Sequence, residues 1–269
     1  MRIVVAVKYV PDIQSERGFA DGRVERVPDD GTLNELDENA LEAALSLVEA
    51  LGEEERAASE VVALTVGGPD AAAAVRKAFQ LGVDRGVLVS DDAIAGSDYA
   101  GTAAVLAAAV RRLEQDGPVD LVLAGMAALD GLGSVVPSFV AAELGRPHLA
   151  FADRLEVDAA AGTARATCDV GHVSEELEAP LPAVVSVSDH INQPRFPNFR
   201  LIMAARGKPV EQWSLADVGL DPSRVGEAGA RTRTVRAEPR PERPEAEVVV
   251  DKGDGGTALA EFLIRNELV

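Results

Sequence analysis

Arg2-Ile-Val-Val-Ala-Val-Lys8 near the start of the chain decides the fold. Its apolar core carries β-branched residues with no polar alternation. Such a run suits a strand covered on both faces, as strands of a parallel sheet are. Val61-Val-Ala-Leu-Thr-Val66, Arg85-Gly-Val-Leu-Val-Ser90, Asp120-Leu-Val-Leu-Ala124 and Ala183-Val-Val-Ser-Val187 repeat the pattern. Segments of helical period separate them. Residues 34–50 place Leu41, Ala44, Leu45 and Val48 on one face, and residues 70–81 stop at Gly82. Residues 98–114 are alanine-rich, and residues 133–144 stop at Gly145 and Pro147. Strand–helix alternation over the first 145 residues is the pattern of a Rossmann-like α/β fold, a doubly wound and mostly parallel sheet.

Beyond that point the pattern changes. Residues 152–157 and 164–170 flank Asp158-Ala-Ala-Ala-Gly162 and read as an added antiparallel hairpin. Earlier, residues 12–32 form a polar excursion with turn signals at Asp21-Gly22 and Asp29-Asp30-Gly31, the marks of a second hairpin. Residues 211–221 contain the single Trp, Trp213. Residues 231–247 are rich in Arg, Glu and Pro and cannot build a core, so they read as an extended arm. A short helix at 257–266, with Leu259, Phe262 and Leu263 on one face, ends it. The expected division is a nucleotide-binding domain at 1–230 and a C-terminal arm at 231–269.

Composition narrows the function. The chain has 269 residues, 47% hydrophobic and 26% charged, which is ordinary for a globular protein with a large core. Its net charge of -19 opposes binding to nucleic acid or an anionic membrane. One cysteine, Cys168, excludes an internal disulfide framework and fits a reducing compartment; as a strand residue it is expected to be a small buried apolar group. His148, His172 and His190 are too scattered for a metal motif. The apolar start is too short for a signal peptide, and no run approaches the ~20 residues of a membrane span. A cytoplasmic location is the expectation.

In an open parallel sheet, ligands bind beyond the carboxyl ends of the strands, where strand order reverses. Three exits carry suitable residues: Ala6-Val-Lys-Tyr-Val-Pro-Asp12, Val66-Gly67-Gly68-Pro69, and the stretch from Gly125 to Pro137. Gly131, Gly133 and Ser134 in the third suit a phosphate at a helix N-terminus, or simply a tight strand-to-helix turn. The dinucleotide fingerprint lacks its third glycine, and no Walker A lysine or nucleophile-elbow serine occurs. Lys8 reads as a structural or phosphate-facing lysine, and His190 as a locally bonded loop histidine. No catalytic constellation emerges, so the residues describe a binding or carrier subunit without metal.

One further stretch stands out: Asp189-His-Ile-Asn-Gln-Pro-Arg-Phe-Pro-Asn-Phe-Arg-Leu-Ile-Met203. Only 4% of the chain is aromatic, yet Phe196 and Phe199 sit here beside Pro194, Pro197, Arg195 and Arg200. A proline-stiffened loop offering aromatic and arginine side chains suits a protein-contact surface. Residue types alone leave open whether both rings fold back into the core.

Several segments, taken together and in order, resemble the β-subunit family of electron transfer flavoproteins. They are Val7-Lys-Tyr-Val-Pro-Asp12, Leu33-Asn-Glu-Leu-Asp-Glu-Asn-Ala-Leu-Glu-Ala-Ala-Leu45, and Gly68-Pro69 leading to Arg76-Lys-Ala-Phe-Gln-Leu-Gly-Val-Asp-Arg85. Asp120-Leu-Val-Leu-Ala-Gly125 with Asp130-Gly131, Leu181-Pro-Ala-Val-Val185, and Asn192-Gln-Pro-Arg-Phe196 with Ile202-Met203-Ala-Ala205 complete the set. The resemblance implies an electron carrier without catalysis of its own, paired with an α subunit that holds most of the FAD. It implies AMP as a structural nucleotide, contacted through Ala6, Asn34, Glu35, Leu36, Asp37, Gly67, Met126, Ala127, Ala128, Leu129, Asp130, Gly131, Leu132, Gly133, Ser134, Val135, Val136 and Pro137. Ile13 would approach the flavin. Arg195, Phe196 and Phe199 would form the partner-recognition loop, within residues 189–206, with Phe199 at the anchor position. Electrons would come from flavin dehydrogenases, such as the acyl-CoA dehydrogenases of fatty acid oxidation, and pass to an electron transfer flavoprotein–quinone oxidoreductase.

Departures from the family pattern matter. Asp169 is followed by Val170 where Gly or Asp is usual, and Arg206 and Lys208 replace a lysine-rich stretch. The bifurcating subclass binds a second FAD in place of AMP, and its loop resembles Asp-Gly-Asp-Thr-Ala-Gln. Here the loop reads Asp130-Gly-Leu-Gly-Ser-Val135, which points towards AMP or an unoccupied site and away from bifurcation. A stand-alone adenine-nucleotide-binding protein of the universal-stress type would share the sheet but need neither loop nor arm. A nicotinamide dehydrogenase would need the missing third glycine.

Overall fold

The computed structural model describes every residue except 16–17, 21–22, 26–29, 237, 239–240, 242–245 and 247. The turn signals at Asp21-Gly22 and Asp29 therefore lie outside the described residues. The chain divides into a unit Met1–Val235 and a unit Arg236–Val269.

In the first unit, β1 (Arg2–Ala6) is followed by the short strands β2 (Tyr9–Pro11), β3 (Phe19–Ala20), β4 (Arg23–Val24) and β5 (Gly31–Leu33). Next come α1 (Glu35–Glu49), α2 (Glu53–Ala57), β6 (Glu60–Val66), α3 (Ala72–Leu81) and β7 (Arg85–Val89). They lead to α4 (Tyr99–Leu113), β8 (Leu121–Gly125), α5 (Val136–Leu144) and β9 (His148–Ala152). Then follow β10 (Arg154–Asp158), β11 (Thr163–Val170), β12 (Val173–Pro180) and β13 (Ala183–Val187). The unit closes with α6 (Phe199–Ala205), β14 (Glu211–Trp213) and α7 (Gly226–Gly229).

The main sheet has seven strands in the order β14-β7-β6-β1-β8-β13-β9. Every neighbouring pair is parallel. The unbroken apolar run of β1 now has its reason. Ile3 and Val5 pack with Leu41, Leu45 and Phe79 from α1 and α3, while Val4 packs on the opposite face with Val105, Val110 and Val140 from α4 and α5. Both faces exclude water, so neither set of alternate positions tolerates a polar group. The alanines of α4 serve the same end, since Ala103, Ala107 and Ala109 are fully buried and let the helix lie close against the sheet.

The structure differs from the sequence-based expectation at several points. Residues 148–152 form the edge strand β9 of the seven-stranded main sheet, parallel to β13, and the antiparallel part begins only at Arg154. That part has a third strand, β12, so it is a meander β10-β11-β12. Val173-Ser-Glu-Glu-Leu-Glu-Ala-Pro180 is almost wholly exposed and rich in Glu, so it lacks the usual strand signature. β14 is a three-residue polar strand at the sheet edge, equally silent in the sequence. The helix expected from 133 begins at Val136, because Leu132 and Ser134 take left-handed φ values of 47° and 54°. The polar excursion does fold back on itself, through β2 pairing antiparallel with β5.

Cys168 is half-buried on β11, a correction to its expected core position. Arg231 and Thr232 donate their backbone N–H groups to Asp98, which also caps α4 through Gly101, so the first unit continues past residue 230. In the second unit, α8 (Gly255–Arg265) carries Leu259, Phe262 and Leu263, and that unit's own residues bury none of its side chains.

Candidate functional site

Strand order reverses between β1 and β8: β6 and β7 lie on one side of β1, and β13 and β9 lie beyond β8. The two strands stay paired up to Ala6 and Ala124, but the chain leaves them towards opposite sides of the sheet, and a crevice opens between the departing connections. The sheet interior is fully buried, yet Ala6, Val66, Gly67 and Ala124 at the ends of β1, β6 and β8 are half-exposed. Small side chains at a partly open sheet edge leave room for a ligand to lie against the backbone.

The first turn of α1 braces this crevice. Asn34 is fully buried; its Nδ2 donates to the Ala127 carbonyl at 2.9 Å, and its Oδ1 accepts from the Leu129 N–H at 3.0 Å. The side chain thus pairs like one more strand residue with the loop leaving β8. Asp37 accepts the Lys8 backbone N–H at 2.8 Å and takes a second backbone bond from Gly125, joining the exits of β1 and β8. Burial pushes its carboxyl up to about 7, against the lowering pull of Asn34, the backbone N–H groups and the Lys8 charge. Lys8 reaches Asp130 with Nζ 2.7 Å from Oδ1, and the Asp130 side chain is buried. This ion pair ties the exit of β1 to the loop leaving β8.

The loop itself makes a turn in which Gly131 and Leu132 donate to the Ala128 carbonyl. Leu132 and Val135 stand exposed, while Pro137 is buried in the first turn of α5. Tyr99, at the start of α4, lies over this turn: a Cβ on Gly133 would come within 2.5 Å of its ring. Sequence reading missed Tyr99, although Asp98 before an alanine-rich helix marks an N-cap beside a strand exit.

The predicted residues thus separate. Ala6, Gly67 and the 126–137 loop border the crevice, whereas the Asn34 and Asp37 side chains hold its walls. Glu35 and Leu36 line a neighbouring open cleft of about 580 Å³, together with Asp12, Asn39, Asp189 and Asn192. Ile13, next in the chain after Asp12, is half-exposed. A second cleft of about 380 Å³ lies among Met126, Phe151, Asp153, Cys168 and His190. Among the described residues no group of three His, Cys, Asp or Glu side chains is placed to hold a metal ion, and no helix is long and apolar enough to cross a membrane.

Residues 192–195 of the 189–206 segment bond to α1, and its helix α6 packs against α3. Asn39 and Asn192 exchange hydrogen bonds, and Arg195 forms ion pairs with Glu42 and Glu49 at 2.7 Å each. Its guanidinium is therefore engaged within the chain. Asn198 caps α6 by accepting from Leu201 N–H, and Lys208 donates to the Val83 carbonyl. The alternative left open for the two rings is decided: Phe196 is 89% exposed and Phe199 79%.

An open parallel α/β sheet with its strand order reversing between β1 and β8 defines the class, a Rossmann-like α/β fold. Residues 21–218 match the electron transfer flavoprotein domain family. The chain is 38% identical to the electron transfer flavoprotein subunit beta of Mycobacterium leprae, over 99% of both chains, and 37% identical to that of Mycobacterium tuberculosis, with the same coverage. It is 31% identical to the caffeyl-CoA reductase–Etf complex subunit CarD of Acetobacterium woodii, over 93% of this chain and 92% of that one. The chain belongs to the electron transfer flavoprotein β-subunit family. Membership carries a role in electron transfer, association with flavin and an α-subunit partner.

Proposed function

We propose that this chain is the nucleotide-stabilised half of a cytoplasmic electron-carrying heterodimer. Its α partner holds most of the FAD. The carrier takes electrons from flavin dehydrogenases, acyl-CoA dehydrogenases among them, and passes them to a membrane quinone oxidoreductase. The bound flavin supplies the redox chemistry; this chain positions it and excludes water from it. AMP occupies the crevice, over Ala6 and Gly67 and under the 126–137 loop. Asn34, Asp37 and the Lys8–Asp130 pair keep that loop in place. The cleft beside Asp12, Ile13 and Leu36 faces the flavin.

The observation that carries this reading is the half-exposed, small-residue floor at the switch point, in a chain of this family. Co-expression with the α subunit, followed by acid extraction and chromatography, tests it. One FAD and one AMP per heterodimer are expected. Two FAD would instead place the chain with bifurcating carriers. A colourless homodimer would replace the proposal with a stand-alone nucleotide-binding protein.

The exposed Phe199 serves as the apolar anchor for the dehydrogenase. Phe199→Ala should lower kcat/KM for electron transfer from an acyl-CoA dehydrogenase roughly thirtyfold, the equivalent of ~2 kcal/mol at a central anchor. Assembly and flavin content should not change, since the ring contributes little to the core. Stopped-flow reduction of the flavin reads the effect, and unchanged kinetics would place the anchor elsewhere.

A further inference from the structure

Phe196 and Phe199 gain almost nothing from folding, because both rings stay in water. Order in the segment that carries them must come from other contacts, since fixing a loop costs conformational entropy at every residue. Arg195 supplies them. Its Nε and Nη2 bond Glu42 Oε2 and Oε1 at 2.7 and 3.0 Å, and its Nη1 and Nη2 bond Glu49 Oε1 and Oε2 at 2.7 and 2.9 Å. Its backbone N–H also donates to Glu42 Oε2 at 3.1 Å. Glu42 and Glu49 are two turns apart on α1 and so share a face. A planar guanidinium meets two carboxylates in this way, whereas an ammonium cannot.

We infer that Arg195 is the positioning residue of the docking loop: clamped by Glu42 and Glu49, it pre-orients Phe196 and Phe199 for an electron-donating protein. This rests on the docking role proposed above for Phe199. The clamp lies between two other fixed points, the Asn39–Asn192 pair and the Asn198 cap. The residues in between include Pro194 and Pro197, which add stiffness without hydrogen bonds. Pre-ordering of this kind strengthens association by lowering the entropy lost on docking. The clamp also persists at moderately low pH. Arg195 hydrogen bonds hold Glu49 below the usual carboxylate range; at Glu42 burial pushes up, and the Arg195 and Ser46 hydrogen bonds with the Arg195 charge together bring the carboxyl down.

The test uses the assembled heterodimer and an acyl-CoA dehydrogenase reduced by its acyl-CoA. Arg195→Gln should raise the KM for the dehydrogenase about tenfold while kcat stays within about twofold, and Arg195→Lys should recover only part of the loss. Phe199→Ala should cost less in the Arg195→Gln background than in the wild type, because a displaced anchor has less to lose. Hydrogen exchange at residues 196–203 should quicken in Arg195→Gln, with the strands of the main sheet unaffected. Unchanged exchange, or losses that simply multiply, would overturn the inference. A silent Phe199→Ala in the wild-type background would remove the docking role itself, while the exchange result would still decide whether the clamp orders the loop. Should Arg195→Gln fail to assemble, Glu49→Gln removes only the exposed arm of the clamp and should give a smaller change of the same kind.

Discussion

Stability should fall as pH rises from about 4 to about 7, and Asp37→Asn should remove most of that fall. In the unfolded chain Asp37 titrates at its ordinary 3.8, whereas in the fold burial pushes it up to about 7. Between the two values the folded state keeps a proton that the unfolded state has released. The group's stabilising contribution is therefore complete below the unfolded value and disappears as pH passes the folded one. At about 1.4 kcal/mol per pH unit, the contribution is on the order of 4 kcal/mol. Asn mimics the protonated acid in shape and still offers an oxygen to the Lys8 N–H, so the variant should show a nearly flat curve over this range. Urea denaturation of wild type and variant at pH 4.5 and 7.5 measures the difference. Parallel curves would mean that Asp37 is ionised in the fold despite its burial. The depressed carboxylates Glu49, Asp98 and Asp153 act in the opposite sense, losing their contribution only as pH falls through their lowered values.

Gly125→Ala should destabilise the protein by about 3 kcal/mol and, with AMP in the crevice as proposed, lower the nucleotide content. A Cβ at this position would lie 2.4 Å from the Leu36 carbonyl oxygen and 2.7 Å from both its carbon and Asp37 Oδ1. The nearest atoms belong to the backbone of the first turn of α1 and cannot swing aside as a side-chain tip would. The start of α1 must therefore move, and with it the Asn34 bonds to Ala127 and Leu129 and the Asp37 bond to Lys8. Denaturation midpoints and the AMP content of the purified heterodimer report the two effects. A loss below about 1 kcal/mol would show that the helix end yields more easily than its close packing suggests.

Both predictions concern contacts that residue types alone do not reveal. Asn34 and Asp37, expected from the family resemblance at the nucleotide site, also bond the backbone of neighbouring exits through their side chains. The reason is geometric: α1 starts beside the exits of β1 and β8, so its first polar side chains meet backbone N–H and C=O groups that the sheet no longer pairs. Arg195 is a similar case. Its type and setting pointed outward, and Glu42 and Glu49, some 150 positions away, engage it within the chain.

The sequence by itself determined the parallel sheet, its covering helices and the family. Apolar runs of Val, Ile and Leu can lie only between two water-excluding layers, and their spacing sets the crossovers. Tertiary structure alone decided the edge strands β9, β12 and β14, because edge strands need not be apolar and so carry no periodic signal. It also decided which of the named residues face the crevice and which support it, since that depends on partners brought together only when distant strands align. For the same reason it settled that Phe196 and Phe199 remain in water: the core was already filled from both sides of the sheet, and the Arg195 clamp holds their loop against the outer surface of α1.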